Sequence, residues 1–504
     1  MKSKEVLSSD ERYFFSLVRE ATLENPFGRR RDEIDRAISQ STAGVLSGNR
    51  IENVISAIKQ RISELDSHGR GNILLFDESE RSLVQSVFSF DFFYTFRKSF
   101  DQLILDQIVA GDKPIRLSFA NEAKEYLVKR GFDEEAINRI IEESYQLRRS
   151  FYFIDRMLVG KSAAMQQLRE DIWNNIFTHN FQLYREYLRD RMEDFSTLLL
   201  GETGTGKGAV ATAIGRSGFI PYDSKKNRFT ESFTSSFIFI NISQFPETLI
   251  ESELFGHKKG SFTGAIENYE GVFSRCVPHG SILLDEIGEI SPHLQIKLLQ
   301  VLQERVFYPV GSRRKERFFG RVIAATNRSI DELRNKGLFR DDFYYRLCSD
   351  VILVPSLKKR LQDDPEEIEH LLQFIIKKMV GRDSPELVTM VKQVIEKNLG
   401  PDYPWHGNVR ELEQCARRVL LKQAYLGDTK GGGDDLLSRL THGIEKGDLP
   451  ANKLLAGYCR LLHDRAGTIE EVARRTHLDR RTVAKYIKEW DAPPETEIEN
   501  ENGS

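Results

Sequence analysis

Residues 197–208 read TLLLGETGTGKG, and this stretch decides the fold. Its apolar start predicts a short strand, followed by a glycine-rich loop, Lys207 and a helix that begins near Ala209. Glycines let the N–H groups of such a loop turn towards phosphate oxygens, and the helix N-terminus adds partial positive charge. We expect Lys207 to reach the β- and γ-phosphates of a nucleotide. An incidental glycine-rich turn is the alternative. The residues predicted to bind the nucleotide are Gly201, Glu202, Thr203, Gly204, Thr205, Gly206, Lys207 and Gly208.

A second strand, in GSILLDE at 280–286, ends in two acids. We expect Asp285 to hold Mg²⁺ and Glu286 to orient and activate the attacking water. Acids at this position often only cap a following helix, but here they lie roughly 80 residues after the phosphate loop. Gly208 stands where a Ser or Thr hydroxyl commonly binds the metal, so Mg²⁺ must depend on other groups.

A third apolar strand ends in Thr326 and Asn327. Polar side chains at that strand end are suited to sensing the γ-phosphate or positioning water, and an ordinary turn at Asn327 is the alternative. The sequence therefore predicts a complete site for ATP and Mg²⁺.

The apolar runs indicate the fold class, because continuous runs predict strands that are buried on both faces of a parallel sheet. They lie at 197–200, 237–240, 282–284 and 322–325. Helical segments between them predict a layered α/β ATPase core, and the whole chain is expected to be multi-domain. The predicted parts are a mostly helical N-terminal regulatory domain of unknown type at 1–155, the core at 156–355, a helical lid at 356–425, a linker at 426–450, an all-α helix-turn-helix domain at 451–492 and a disordered tail at 493–504.

Composition excludes several classes of protein. The net charge of −3 over 504 residues is not that of a polycation, so any contact with nucleic acid needs a local basic surface. The four cysteines form no CxxC pair, which argues against a zinc site or a disulfide framework. No apolar run approaches a membrane span, and the N-terminus lacks the apolar segment of a signal peptide. A cytoplasmic protein without a membrane partner is expected.

Six segments now carry a resemblance to a known family. They are GETGTGKG at 201–208, ESELFGHKKGSFTGA at 251–265, GSILLDEIGEIS at 280–291, RVIAATNRSI at 321–330, FRDDFYYRL at 339–347 and WHGNVRELE at 405–413. In this order they resemble the sigma-54-dependent activators, or bacterial enhancer-binding proteins, a clade of the AAA+ ATPases. The resemblance covers roughly residues 156–425 and does not cover the N-terminal third.

The resemblance implies roles for single residues. Asn241 matches a switch residue that pairs with the catalytic Glu286. Arg340 and Arg346 match arginine fingers that complete a neighbouring subunit's site, and a guanidinium there stabilises charge on the transferred phosphoryl group. Surface solvation, or an ion pair with Asp341 or Asp342, is the alternative for both arginines. In the lid, the resemblance makes Arg410 a second sensor of nucleotide phosphate.

The hexapeptide at 260–265 distinguishes this family from other AAA+ machines, most of which lack it. Its residues are Gly260, Ser261, Phe262, Thr263, Gly264 and Ala265, with Ser261 where Ala is usual. The resemblance implies that this loop contacts sigma-54 and transmits the hydrolysis stroke. A plain flexible turn is the alternative.

The C-terminal segment 469–488 reads IEEVARRTHLDRRTVAKYIK and predicts a helix-turn-helix. Asp479 is expected to cap the second helix, and His477 stands where a turn glycine is common. The second helix would present side chains suited to bases and phosphates, namely those of Arg480, Arg481, Thr482, Lys485 and Lys488. A protein-binding helical hairpin with a solvated basic face is the alternative.

The sequence thus predicts a homo-oligomeric, hexameric ring that binds enhancer-like DNA and uses ATP hydrolysis to open promoter complexes of sigma-54 RNA polymerase. A remodelling ATPase for another protein client is the first alternative, and a DNA-binding repressor with a vestigial ATPase is the second. Two insertions relative to the family pattern, at 174–195 and 219–236, are expected to alter subunit packing or to accept the N-terminal domain.

Overall fold

The computed structural model describes residues 4–40, 50–401, 403–427 and 449–491, with isolated positions between 436 and 447. The tail predicted at 493–504 and most of the linker predicted at 426–450 lie outside the described residues. The chain divides into two compact units, Met1–Gln393 with Asp402–Lys422, and Val394–Pro401 with Gln423–Ser504. Among the described residues, no helix is both long and apolar enough to cross a membrane.

A five-stranded parallel sheet forms the centre of the first unit, in the order β4-β5-β8-β1-β9. The strands of the described chain are β1 Thr197–Leu200, β2 Tyr222–Asp223, β3 Arg228–Phe229, β4 Phe237–Asn241, β5 Ser281–Asp285, β6 Val306–Phe307, β7 Glu316–Arg317, β8 Arg321–Thr326 and β9 Asp350–Leu353. The strand pairs β2–β3 and β6–β7 are separate antiparallel hairpins. The four predicted runs are therefore all strands of one parallel sheet.

The burial of these strands follows their place in the sheet. Strands β1, β5 and β8 lie inside the sheet and are almost entirely buried, as their continuous apolar runs predict. The same prediction is wrong for β4, which forms an edge and leaves Phe239 53% exposed. An edge strand has a neighbour on one side only, so an apolar run there does not guarantee burial on both faces.

The other regular elements of the described chain are helices and short helical turns. Those before the sheet are Ser9–Leu23, Arg29–Gln40, Arg50–Ser67, Glu78–Thr95, Arg97–Ala110, Ala120–Lys129, Glu134–Met157 and Ala163–Phe177. Those around and after the strands are Phe181–Leu183, Lys207–Gly215, Glu247–Phe255, Val272–Arg275, Pro292–Glu304, Ile330–Asn335, Asp341–Leu347, Leu357–Asp363, Glu367–Val380, Pro385–Asn398 and Asn408–Lys422. The second unit contains Ala451–Ala466, Ile469–Thr476 and Arg480–Asp491. Short 3₁₀ or π turns lie at Ile73–Leu75, Tyr184–Leu188, Met192–Asp194, Ile242–Gln244 and Ile287–Glu289.

The helix Glu134–Met157 links the N-terminal region to the α/β core around the sheet. Asp133 caps its start by accepting from the Ala136 N–H at 2.8 Å. The apolar residues at helical spacing form its buried face, which is the outcome that this spacing predicts. The ring of Tyr145 stacks on Phe229 of β3, with centroids 4.0 Å apart. The N-terminal helices and one face of the sheet thus share a continuous hydrophobic core.

Both insertions contact the N-terminal region. In the first, Tyr184 lies in a buried hydrogen bond with Gln146. In the second, the β2–β3 hairpin receives a third extended segment, because the Leu117 N–H donates to the Asn227 carbonyl at 2.9 Å. Lys124 donates to the Asn227 side chain at 2.9 Å. The two insertions therefore accept the N-terminal helices, one of the two roles expected for them.

In the second unit, the helices of 451–491 pack around a small apolar cluster. Val472 and Val483 are fully buried there with Cys459 and Leu462. The Asp479 carboxylate accepts from the Arg481 and Thr482 N–H groups at 2.9 and 3.0 Å, so it caps the last helix as predicted. A left-handed residue, His477 with φ of 56°, ends the helix before it.

Candidate functional site

The loop after β1 has the geometry of a phosphate-binding loop. Gly204 and Gly206 have φ of 82° and 105°, a region that glycine enters without steric cost. Lys207 begins the following helix, and its Nζ donates to the carbonyls of Gly201 and Glu202 at 2.8 and 3.1 Å. Burial lowers the pKa of Lys207, while the nearby Glu286 and Asp285 carboxylates oppose that shift.

The two predicted acids lie beside this loop, because β5 and β1 are parallel strands separated only by β8. Asp285 ends β5, and its Oδ1 accepts from the Glu286 N–H at 3.0 Å. Glu286 follows with a left-handed φ of 57°, a conformation unusual for Glu and common at functional sites. Burial, followed by the charge of Asp285, raises the pKa of Glu286. A carboxylate with a raised pKa suits a group that must take a proton from water.

The end of β8 completes this edge of the sheet. Thr326 is fully buried and accepts from the Arg328 N–H at 3.1 Å. The Asn327 Nδ2 donates to the Thr203 hydroxyl at 2.7 Å, and the Asn327 backbone N–H lies against Glu286. Asn327 therefore connects the phosphate loop to the predicted catalytic acid.

Asn241 occupies the neighbouring strand end, on β4. Its Nδ2 lies 3.5 Å from the Asp285 carboxylate, and its Oδ1 accepts from the Ser243 N–H at 3.0 Å. The described residues contain no hydrogen bond between Asn241 and Glu286, so the pairing that the resemblance implies stays a prediction. In this structure Asn241 contacts Asp285 instead, the acid predicted to hold Mg²⁺.

The segment 405–410 covers the phosphate loop from the lid side. A Cβ on Gly204 would lie 2.2 Å from the Gly407 carbonyl, so this close approach requires glycine. The buried Asn408 donates to the Glu202 carboxylate and the Thr203 carbonyl at 2.9 and 3.1 Å. Sequence reasoning missed Asn408, although the motif around it contains Arg410. Arg410 is exposed, and its charge contributes to lowering the pKa of Lys207.

Both predicted finger arginines have partners within the chain. Arg340 is 42% exposed in its side chain and forms an ion pair with Asp342 at 2.7 Å, which raises the pKa of Arg340. Arg346 donates to the Leu302 carbonyl at 2.7 and 2.9 Å. The ion pair named as the alternative therefore exists for Arg340. Exposed pairs of this kind contribute little to stability, so they can exchange partners at low cost.

The hexapeptide at 260–265 forms a compact exposed tip. Gly260 and Gly264 have φ of 80° and 102°, and the Gly260 N–H donates to the Ala265 carbonyl at 2.8 Å. Phe262 is 37% exposed, and its ring packs edge-to-face on the His257 ring with the two centroids 4.9 Å apart. Ser261 turns inward against Gly311, and its Oγ is buried without a hydrogen-bond partner. Phe262 and Thr263 are thus the larger side chains that the tip presents to solvent.

The basic side chains of the last helix face solvent in the second unit. Arg480, Arg481, Lys485 and Lys488 are all exposed. Arg480 lies 3.2 Å from Glu470 and Lys485 lies 3.6 Å from Glu489, both as surface ion pairs. The Thr482 hydroxyl donates to Asp479. The exposed face is compatible with contacts to phosphates and base edges.

Mg²⁺ fits the acids at this edge better than it fits the loop. Asp285 offers a half-buried carboxylate whose partners are one backbone N–H and a distant amide. Gly208 offers no hydroxyl, and the nearby Thr205 and Thr212 hydroxyls donate to backbone carbonyls of Glu202 and Gly208. Carboxylate oxygen is the ligand that Mg²⁺ prefers, so Asp285 is the residue suited to hold it.

The sequence around this site is similar to that of known proteins. The sequence profile of the Sigma-54 interaction domain matches residues 162–352. The chain is 38% identical over 285 residues to the Nif-specific regulatory protein of Azotobacter vinelandii, covering 55% of this chain and 47% of that protein. It is 38% identical over 264 residues to the DNA-binding transcriptional regulator NtrC of Rhizobium meliloti, covering 52% and 47%. The match thus spans about half the length of these curated relatives.

Among solved structures, NtrX from Brucella abortus in complex with ADP aligns with a TM-score of 0.41 and 19% identity, over 74% of this chain and 81% of that one. The sequence matches are centred on the segment that contains the phosphate loop, the acids of β5 and the 260–265 tip. Residues 162–352 thus match a Sigma-54 interaction domain, and the chain is similar to sigma-54-dependent transcriptional regulators over about half of its length.

Proposed function

We propose that this protein is a transcriptional activator that binds DNA and uses ATP hydrolysis to remodel sigma-54 RNA polymerase at promoters. One observation carries the proposal. The exposed 260–265 tip lies in the connection between β4 and β5, the strands that end in Asn241 and in the Asp285–Glu286 pair. A change at the nucleotide therefore has a short covalent path to the surface that would contact sigma-54.

The roles of the site residues follow from their positions. The N–H groups of the 201–206 loop and the Lys207 ammonium would bind the phosphates. Asp285 would hold Mg²⁺, which supplies charge neutralisation between the phosphates when it is bound. Glu286 would orient the attacking water and accept its proton, while Asn327 holds the adjacent loop through Thr203. Arg410 would contact phosphate from the lid side.

The finger arginines require a neighbouring subunit, which supports a homo-oligomeric ring and, by the resemblance, a hexamer. Arg340 would leave Asp342 and complete the site of the next protomer, where its charge stabilises the transferred phosphoryl group. Arg346 would do the same after releasing the Leu302 carbonyl. The proposal also includes a cytoplasmic location and the binding of enhancer-like DNA by the helix that contains Arg480–Lys488.

The first experiment tests the ATPase. Steady-state turnover is measured on the wild type at ring-forming concentrations, on Glu286→Gln, and on the exposed control Glu304→Gln. Loss of the general base is expected to reduce kcat by about 10²-fold or more, with KM little changed. The control should keep wild-type turnover. A wild type without turnover would favour the repressor with a vestigial ATPase.

The second experiment tests the client. A tagged protein is incubated with sigma-54 and ADP–aluminium fluoride, and trapped complexes are recovered. Thr263→Ala is expected to abolish trapping, because it removes an exposed hydroxyl from the tip. The matched variant Ser261→Ala changes a hydroxyl that faces inward, and it should trap normally. Active ATPase without a trapped complex, or a complex insensitive to Thr263→Ala, would favour another protein client.

A further inference from the structure

Arg149 is the largest fully buried side chain in the described part of the protein, and its charge is poorly compensated. It lies on the helix Glu134–Met157, with an exposure of 0%. Its Nε and Nη1 have no hydrogen-bond partner, and no carboxylate forms an ion pair with it among the described residues. Its guanidinium lies over the rings of Tyr145 and Phe233, at 4.7 and 5.8 Å. Burial lowers the pKa of Arg149. A buried charge of this kind lowers the stability of the folded protein, so stability does not explain why an arginine is present at this position.

Arg149 donates a hydrogen bond beyond the N-terminal region, and this contact indicates its role. Its Nη2 donates to the carbonyl of Gly218. One helical turn earlier, Gln146 donates from Nε2 to the carbonyl of Ser217 at 3.1 Å. Both acceptors directly follow the helix Lys207–Gly215, whose C-terminal cap is Arg216. The N-terminal region thus holds the far end of the helix that begins with the phosphate-binding lysine.

The helix itself carries this contact to the nucleotide site. It has nine residues, so it is about 13 Å long and moves as a rigid element. Its interior is buried on most sides, since Val210, Ala211, Ala213 and Ile214 are all at most 2% exposed. A tilt or shift at residues 217–218 therefore displaces Lys207 and the loop N–H groups.

We propose that Arg149 and Gln146 are positioning residues for ATP: they fix the end of the phosphate-binding helix, so that the N-terminal region sets the nucleotide affinity of the ATPase. This inference rests on the proposed ATP site and adds the point at which the regulatory region acts on it. The signal received by the N-terminal helices would reach Lys207 as a displacement of one helix.

The test uses the full-length chain and three changes on neighbouring residues. Arg149→Met removes the bond to Gly218 and the uncompensated charge, and Arg149→Lys retains a cation that can donate to the same carbonyl. Arg148→Met is the matched control, because Arg148 pairs with Asp101 at 3.0 Å inside the N-terminal region. KM and kcat for ATP, ADP affinity by calorimetry and the midpoint of thermal unfolding are measured for each.

Arg149→Met should raise KM for ATP and Kd for ADP about tenfold, the scale of one lost hydrogen bond. Because the loop binds ground state and transition state alike, kcat should stay within about twofold. The unfolding midpoint should stay constant or rise, since an unpaired buried charge is removed. Arg149→Lys should restore most of the affinity, and Arg148→Met should leave it unchanged. A purely structural role of Arg149 predicts weaker binding together with a lower unfolding midpoint, and that result would overturn the inference.

Unchanged KM and Kd in Arg149→Met would overturn the inference, as would equal losses in Arg148→Met. If Arg149→Met does not fold, Gln146→Leu decides, because it removes the bond to Ser217, together with that to Tyr184, without touching a charge. A wild type that binds ADP without hydrolysing ATP contradicts the proposed function, and the Kd comparison still decides the role of Arg149. A wild type that binds no nucleotide refutes both.

Discussion

Replacing Asn408 tests how the lid side is attached to the phosphate loop. Asn408 is fully buried, has φ of 52° and takes part in three side-chain hydrogen bonds. Its Oδ1 accepts from the buried Leu357 N–H at 2.7 Å, and its Nδ2 holds Glu202 and Thr203. In Asn408→Ala the Leu357 N–H loses its partner, which costs about 2 kcal/mol.

Two smaller effects add to this loss of stability in Asn408→Ala. The bonds to Glu202 and Thr203 are partly open to water, so their loss costs about 1 kcal/mol together. Asparagine tolerates the left-handed region better than alanine does, so the positive φ adds about 1 kcal/mol to the loss of stability in Asn408→Ala. The expected loss is therefore about 4 kcal/mol in the free energy of unfolding, with a higher KM for ATP. Asn408→Gly should lose about 1 kcal/mol less, because glycine accepts the positive φ.

Urea unfolding followed by circular dichroism measures these differences, and the exposed Asn335→Ala serves as the control. The control should lie within about 0.5 kcal/mol of the wild type. A loss below about 1 kcal/mol in Asn408→Ala, or an equal loss in Asn408→Gly and Asn408→Ala, would refute this account of Asn408.

Three further predictions concern single carboxyl or hydroxyl groups. The pKa of Glu286 is raised, and the proposed role of the group is that of a base, so kcat/KM should fall on acidification at a higher pH than for an ordinary glutamate; a pH–rate profile whose acidic limb lies at the pH of an ordinary glutamate would contradict this. Burial raises the pKa of Glu231 from 4.5 to about 7, so the native state binds its proton more tightly, and stability should fall as the pH rises through that window. Glu231→Gln should unfold at the same temperature as the wild type near pH 4 and at a higher temperature than the wild type near pH 8. A lower unfolding temperature of Glu231→Gln near pH 8 in calorimetric scans would contradict this account of Glu231. Ser261→Ala should gain up to about 1 kcal/mol in urea unfolding, because it removes a buried hydroxyl without a partner, and a loss of similar size would contradict that packing.

The sequence predicted the nucleotide edge of the fold well, for a physical reason. The three interior strands β1, β5 and β8 are buried on both faces, so their apolar runs are continuous and easy to recognise. The phosphate loop, the two acids and Asn327 come directly after those strands in the chain, so recognising the strands placed all of them at the same edge of the sheet. The edge strand β9 was missed, although residues 351–354 form a continuous apolar run, and Val351 and Leu353 of that run are exposed at the edge of the sheet.

Long-range contacts could not be predicted from the same signals. The docking of Leu117 on Asn227 joins residues 110 positions apart by a backbone bond that carries no side-chain pattern. Asn408 looked like part of a helix start, and its burial depends on a loop two hundred residues earlier. Arg149 lies on an amphipathic helix, where an arginine is usually exposed, so nothing in the sequence marks it as buried.

The shared core of the two regions affects how the protein can be recombined. The aromatic partner of Tyr145 is Phe229, and the backbone partner of Leu117 is Asn227, both inside the ATPase sequence. A chimera that joins residues 4–157 alone to a related ATPase would expose the buried surface around Tyr145 and Leu117, because the residues that they contact would be missing. The exchangeable cassette is discontinuous: it consists of the N-terminal helices together with both insertions, 174–195 and 219–236. Exchanging the N-terminal region of this protein therefore requires five junctions rather than one, with one after residue 157 and two around each insertion.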